Sequence, residues 1–247
     1  MFKADLGMKY LFLLAHPDDE AVAAGGTIRL LANQGEEIIV VLATKGEGGI
    51  RPLKTVKDFS GFEGIHPQSI DRVDEFRKSC EILGVSKFEI LNFKDGEINN
   101  KIVWGELELA FIEKIEKYQP EAVVTFDHSG WYFHLDHVGV SIAAMRAVQR
   151  VKHKVQILLF MLFHPPGIKL RWPYVYQQPL PVTHMVEVKS VIRQKIQAIK
   201  AHKSQYLGFL PSMLLGRMNK EYFQLVLATK KGKMWFNKSE VFKKVKG

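Results

Sequence analysis

The stretch KYLFLLAHPDDEAVAAGGTIRLL, residues 9–31, constrains the fold more than any other part of the chain. Its first half is apolar without alternation. That suits a strand buried on both faces, not one with a wet side. The run then stops at His16, Pro17, Asp18, Asp19 and Glu20. Pro17 has no N–H to extend a ladder. The small and apolar residues beyond it predict a helix over about 20–34, closed by Gly35. A second continuous apolar run, EEIIVVLATKG, follows directly. Strand, helix and strand in so short a span make a βαβ unit.

The alternation continues. A helix over about 69–83 ends at Gly84, and KFEIL follows as a short strand. Then come a helix over about 104–118, the buried strand EAVVTF (121–126) and a helix over about 136–151. VQILLFML (155–162) and THMVEV (183–188) read as strands, and 189–204 as a helix. Residues 45–68, rich in Gly, Lys and Pro, read as a long loop, the kind that often serves function. FHPPGIKLRWP (163–173) reads as a loop that shapes a pocket or a homo-oligomer contact. The whole predicts an α/β fold: one mostly parallel sheet, helices on both faces, three layers, a single domain over 1–247. In such sheets ligands sit beyond the carboxyl ends of the strands.

Composition removes several classes of function. No apolar run reaches the roughly 18 residues of a membrane span, and the first residues do not read as a secretory signal. Cys80 is the one cysteine, so no internal disulfide or cysteine metal site is expected, and the cytoplasm is the simplest location. The net charge is +9, but the stretch 230–247 alone carries +6, leaving +3 for the rest. That places the basic character in a C-terminal tail, read as a solvated end. A nucleic-acid surface would spread its Lys and Arg, so no nucleic-acid partner is expected.

AHPDDE lies where a ligand is expected, at the end of the first strand. Asp18 or Asp19 can cap the following helix, which accounts for one aspartate but not for two plus His16. A second cluster, HLDH (134–137), follows the strand AVVTF and opens another helix. His134 and His137, three apart, share a helical face. If the two clusters converge, His16, Asp19 and His137 supply N, O and N ligands, the count of a catalytic zinc site with an open position. Zinc lowers the pKa of its water from about 15.7 to about 7. Asp18 is then left over as general base, and His134 as acid or oxyanion stabiliser. Asp136 is placed to hold the tautomer of His134. His128 is an alternative ligand outside the helical pair. Trp131 and Tyr132, with Phe133, form either core or a sugar-stacking wall. Gly46, Gly48 and Gly49 do not match the order of a dinucleotide loop. They suit close backbone approach to a bound substrate. His66, His153, His164 and His184 read as structural or surface residues.

AHPDDE together with HLDH resembles the LmbE-like, or PIG-L, de-N-acetylases. TKGEGGIR (44–51), Arg72 and Glu75 before Leu83-Gly84-Val85, and Asp95-Gly96 extend the likeness. So does KIQAIKAHKSQ (195–205), through Lys195, Ala198, His202, Ser204 and Gln205. The resemblance implies a Rossmann-like fold and a zinc hydrolase that removes acetyl from an N-acetylglucosamine-type amino sugar. It matches His16, Asp19 and His137 to the zinc ligands, Asp18 to the base, His134 to the acid or oxyanion partner, and Arg72 to a substrate contact. Leu135 stands where the family usually has proline, and the bulky GWYF (130–133) where it has small residues. Both bear on substrate preference. Two other readings remain open: a zinc amidase acting on a thiol conjugate, and a sugar-binding relative without turnover.

Overall fold

A computed structural model describes residues 7–49, 71–151, 154–162, 170–172, 175–177, 180–205 and 217–245. The first strand, β1 (Lys9–Leu14), leads into α1 (Asp19–Asn33) and β2 (Glu37–Leu42). Next come α2 (Arg72–Leu83), β3 (Lys87–Ile90), α3 (Lys101–Tyr118) and β4 (Ala122–Phe126). A short, distorted α4 (Gly130–Phe133) precedes α5 (Leu135–Arg150) and β5 (Ile157–Leu162). The antiparallel pair β6 (Leu170–Trp172) and β7 (Val175–Gln177) stands apart from the main sheet. The chain ends with β8 (His184–Glu187), α6 (Ile192–Ala201), β9 (Lys220–Ala228), α7 (Lys230–Lys238) and β10 (Lys243–Lys244).

The main sheet has eight strands in the order β10-β8-β9-β5-β4-β1-β2-β3. β3, β2, β1, β4 and β5 run parallel; β9, β8 and β10 are added antiparallel at one side. Four of the five parallel strands are those the continuous apolar runs indicate, and β3 is the short, partly exposed strand KFEI at the edge. β1 is fully buried from Tyr10 to Leu14, and β5 is buried throughout. The strand order reverses at β1, which is flanked by β2 on one side and β4 on the other. Right-handed crossovers on either side of that reversal put α1 and α2 on one face and α3 and α5 on the other. α6 packs with α1 and α2, and α3 packs with α5. Sheets of this kind open a crevice at such a reversal, and both charged clusters follow the carboxyl ends of the two strands there, β1 and β4.

The structure departs from the sequence reading in several places: Leu170–Trp172, within the 163–173 stretch read as a loop, is strand β6, and β7 and β10 also have no expected counterpart. β9 has no predicted counterpart, yet it lies between β5 and β8, with a bulge opposite Leu158/Leu159. Its partly exposed residues blur the periodicity that marks the central strands. The helix expected over 189–204 is α6 preceded by a tight 3-10 turn, Lys189–Val191. The lysine-rich end is not a solvated tail. Thr229 caps α7 by accepting from the Gly232 N–H (3.1 Å). The helix buries Phe236, which stacks on Phe242 (4.7 Å between centroids) and meets the edge of His184 (4.5 Å). Trp235 packs on Tyr10 of β1 (5.6 Å). The lysines occupy the wet side of an amphipathic helix, so counting charge conceals the apolar stripe between them. Most of the 45–68 and 163–173 stretches, with His66, His153 and His164, lies outside the described residues.

If this end is integral to the core, Phe236→Ala lowers unfolding stability by about 3 kcal/mol. Urea unfolding measures it; a midpoint equal to that of the parent chain returns α7 to the status of a solvated appendage.

Candidate active site

Asp19 opens α1 and turns back on the strand before it. Its Oδ2 accepts the amides of Ala15 (3.1 Å) and His16 (2.7 Å). Its Oδ1 lies 3.1 Å from His137 Nε2, and its Oδ2 lies 3.7 Å from His16 Nδ1. One buried carboxylate thus faces both imidazoles, across 118 positions of sequence from itself to His137. Burial would raise its pKa, but His137 and His16 hold it well below the carboxylate range. Neither aspartate caps α1 with its side chain: Asp19 points to the strand end, and Asp18 makes no capping bond.

The two histidines have their outer nitrogens occupied. His137, in the first turn of α5, stacks flat on Phe126 (3.9 Å between centroids), and its Nδ1 lies 3.2 Å from the carbonyl of Gly130. Nδ1 is therefore the donor to that carbonyl, and Nε2 is turned toward Asp19. That Nε2 is buried and, among the described residues, has no hydrogen-bond partner, which is costly for a nitrogen unless something binds there. Gly130 permits this approach: its φ is +67°, and a Cβ would lie 2.8 Å from Val138. His16 Nε2 donates toward Asp136 Oδ2 (3.2 Å) and Asp95 Oδ1 (3.1 Å), leaving Nδ1 free to face Asp19. Burial opposes a charge on His16, but these two bonds and Asp19 push its pKa up to about 10.

Two groupings have ligand atoms within 4.8 Å of one another: His16, His134 and His137, and His16, Asp95 and Asp136. The trio expected from the sequence takes two of its members from the first and adds Asp19. His134 is the N-cap of α5, and its Nδ1 accepts the Asp136 amide (3.3 Å). Its proton is thereby on Nε2. Burial, with His137 and His16 beside it, pulls its pKa down to about 4, so it is neutral at physiological pH.

Asp136 holds that tautomer through its backbone. Its carboxylate, expected to serve His134, instead accepts from His16, from the Gly96 amide (2.6 Å) and from the Ile98 amide (3.2 Å). Asp95 is the site residue that reading by cluster passes over. It reaches His16 and accepts the Gly48 amide (2.8 Å), so it joins the glycine segment to the centre.

Asp18 lies beside this group. Burial and the Asp19 charge push its pKa up to about 7, with Arg72, His202 and His16 holding it back. Arg72, expected as a substrate contact, is 5% exposed and directed at protein atoms. It donates to Gly46 O (2.5 Å), Pro17 O (2.6 Å) and Asp18 Oδ2 (3.1 Å). Its contacts are those of a brace for Asp18. Gly46 lets the guanidinium in, since a Cβ there would lie 2.5 Å from its NH1. Of the two aromatics, Trp131 is buried (8%), its amide bound by Asp127 (2.9 Å), whereas Tyr132 is 43% exposed with its ring 5.2 Å from that of His137. Tyr132 is the more exposed of the two. His128 is exposed and belongs to neither grouping.

The late signature supplies ties between elements. Lys195 pairs with Glu221 of β9 (2.5 Å), and Glu221 also accepts the Gly26 and Thr27 amides of α1 (2.8 Å each). Ser204 donates to Glu75 of α2, and Gln205 donates to Gly49 O (3.0 Å). His202 is fully buried against Glu20 (2.7 Å), neither lining the crevice nor lying on a helix surface.

Residues 11–148 match the family described as PIG-L, GlcNAc-PI de-N-acetylase. The "Probable N-acetyl-alpha-D-glucosaminyl L-malate deacetylase 2" of Bacillus cereus is 32% identical over 198 residues, 79% of this chain and 82% of that protein. Among solved structures, the N,N'-diacetylchitobiose deacetylase of Pyrococcus horikoshii aligns with a TM-score of 0.62 at 22% identity, covering 89% of this chain and 84% of that one. The 4-carboxy-2-hydroxymuconate hydratase of Pseudomonas putida aligns with a TM-score of 0.59 at 20% identity, covering 90% and 97%. The last two share the fold and differ in reaction, so chemistry has to be read from the site.

Asp136→Asn tests how the site is held. Its single carbonyl cannot accept from His16, Gly96 and Ile98 together, so divalent-cation affinity should fall about 10–100-fold. Chelator competition reads this, and an unchanged affinity removes Asp136 from the control of His16.

Proposed function

The chain belongs to the PIG-L family, and we propose that its crevice is a zinc site at which the acetamide of an N-acetylglucosamine-type conjugate is hydrolysed. The protein is a de-N-acetylase of amino sugars, in keeping with its relatives that act on N-acetylglucosaminyl malate and diacetylchitobiose. The observation that carries the zinc reading is the orphaned, buried Nε2 of His137, facing Asp19 at 3.1 Å. His16 through Nδ1, Asp19 and His137 through Nε2 are the proposed ligands, a donor set that suits zinc. A divalent cation there supplies Lewis acidity toward water and toward the amide carbonyl.

The remaining steps fall to the chain's own side chains. Asp18, with its pKa raised toward neutrality, takes a proton from the attacking water. Arg72 keeps that carboxylate oriented through its bond to Oδ2 (3.1 Å). His134 is neutral and protonated on Nε2, so it donates a hydrogen bond to the carbonyl oxygen as charge develops. A neutral imidazole is a poor proton source for the departing amine. Asp18, having gained the water's proton, therefore returns it to the nitrogen. Asp136 and Asp95 act through His16, and Tyr132 contacts the sugar at the rim.

We propose further that residues 1–247 form one domain and that the protein works in the cytoplasm, as the single thiol Cys80 suggests. Among the described residues no helix is long and apolar enough to cross a membrane.

Asp18→Asn should retain the cation and lose about 10²–10⁴-fold in turnover, the usual worth of general acid–base catalysis. Acetate release from N-acetylglucosamine conjugates, alongside metal analysis, checks both halves. Parental turnover in the variant removes Asp18 from the mechanism. Cation binding without acetate release by the parent chain itself would favour the non-catalytic relative.

A further inference from the structure

Asp18 has an unusual backbone. Its φ is 116° and ψ −26°, a conformation that residues with a side chain seldom adopt. Such a conformation is strained and persists only where surrounding contacts fix it. The side chain has Arg72 as its tether. The peptide has another. The Asp18 N–H donates to Glu20 Oε2 at 3.1 Å, while its carbonyl accepts the Ala21 (3.1 Å) and Val22 (3.0 Å) amides that start α1.

Glu20 is fully buried, as is His202. A glutamate in the first turn of a helix could serve the helix dipole from an exposed position. Burying it instead is costly unless every oxygen is matched. Here the matching is complete. Oε2 takes the Asp18 amide, and Oε1 takes Ser79 Oγ of α2 (2.6 Å) and His202 Nε2 at the end of α6 (2.7 Å). Three elements meet on one carboxylate, and its one bond toward the crevice is to the peptide of Asp18.

We propose that Glu20 and His202 are positioning residues for Asp18. Glu20 holds the strained peptide that aims the Asp18 carboxylate into the crevice, and His202, with Ser79, keeps Glu20 from turning. The relation makes α6 part of the machinery although no α6 side chain is placed among the proposed ligands. It rests on the reading of Asp18 as the base, and it adds that the base is aimed from behind.

The test uses the full-length, metal-loaded enzyme. Glu20→Gln keeps the volume but cannot accept from all three donors. It should lower kcat by about 10²-fold, the penalty of slight misplacement, with KM within about twofold of the parent and metal per chain unchanged. His202→Ala should fall in the same direction. His202→Gln, which restores a donor nitrogen near the same place, should recover most of the loss; this pair carries the test if Glu20→Gln does not fold. A residue that acts only through Asp18 adds nothing once Asp18 is gone, so Glu20→Gln in the Asp18→Asn background should cost no more than about twofold. Losses that multiply, parental kcat in Glu20→Gln or in His202→Ala, or failure of His202→Gln to recover, overturn the proposal. Parental kcat in Asp18→Asn alone overturns the base assignment, a separate result read from a separate variant.

Discussion

One carboxylate organises this molecule. Asp19 is bound from behind by two amides at the end of β1 and faces an imidazole on either side. For that geometry β1 must end where it does and α1 must begin at once. α5 must also deliver His137 from beyond β4, the neighbouring strand. The reversal of strand order provides this. It places two strand ends and two helix starts around one crevice, so residues far apart in sequence become neighbours. The flat contact of His137 on Phe126 and the carbonyl of Gly130 then leave its ring one orientation.

Around that centre the chain has concentrated negative charge. Asp18, Asp19, Asp95 and Asp136 all lie within or beside it, and buried carboxylates are tolerated only when matched by cations or donors. His16 matches two of them with one N–H, Arg72 braces the third, and Asp19 faces the inward nitrogens of both rings. A protein that folded for stability alone would gain from apolar replacements at such positions. Retaining the charge, with a peptide in strained φ and a buried ring nitrogen facing a carboxylate, is what the proposed divalent-cation site calls for. The same economy explains the glycines at 46 and 130, where a Cβ would push away the guanidinium or the helix whose placement matters.

Much of this is legible in the sequence. Unbroken apolar runs identify the four inner parallel strands, because burial on both faces removes the polar alternation; the edge strand β3 keeps it. The ligand and base candidates are legible because His and Asp are crowded at two strand ends, where packing alone would not put them. Other features are set by long-range contact and leave no local trace. Nothing near Asp136 says that its carboxylate passes His134 to reach His16, 120 positions away. Arg72 looks like a free cation on an amphipathic helix until Gly46 and Pro17 are seen to offer it carbonyls. β9 and α7 carry their apolar residues among lysines and glutamines, and their burial follows from docking on a sheet edge that the sequence does not display.

The central claim is that the two charged clusters are a single cation site, with His16 using Nδ1 and His137 using Nε2. Anomalous diffraction above and below the zinc absorption edge, from crystals grown with zinc, tests it directly. The account expects one peak bonded to those two nitrogens and to Asp19. A peak on His16 Nε2 with Asp95 and Asp136, or imidazoles turned away from any bound ion, would contradict it.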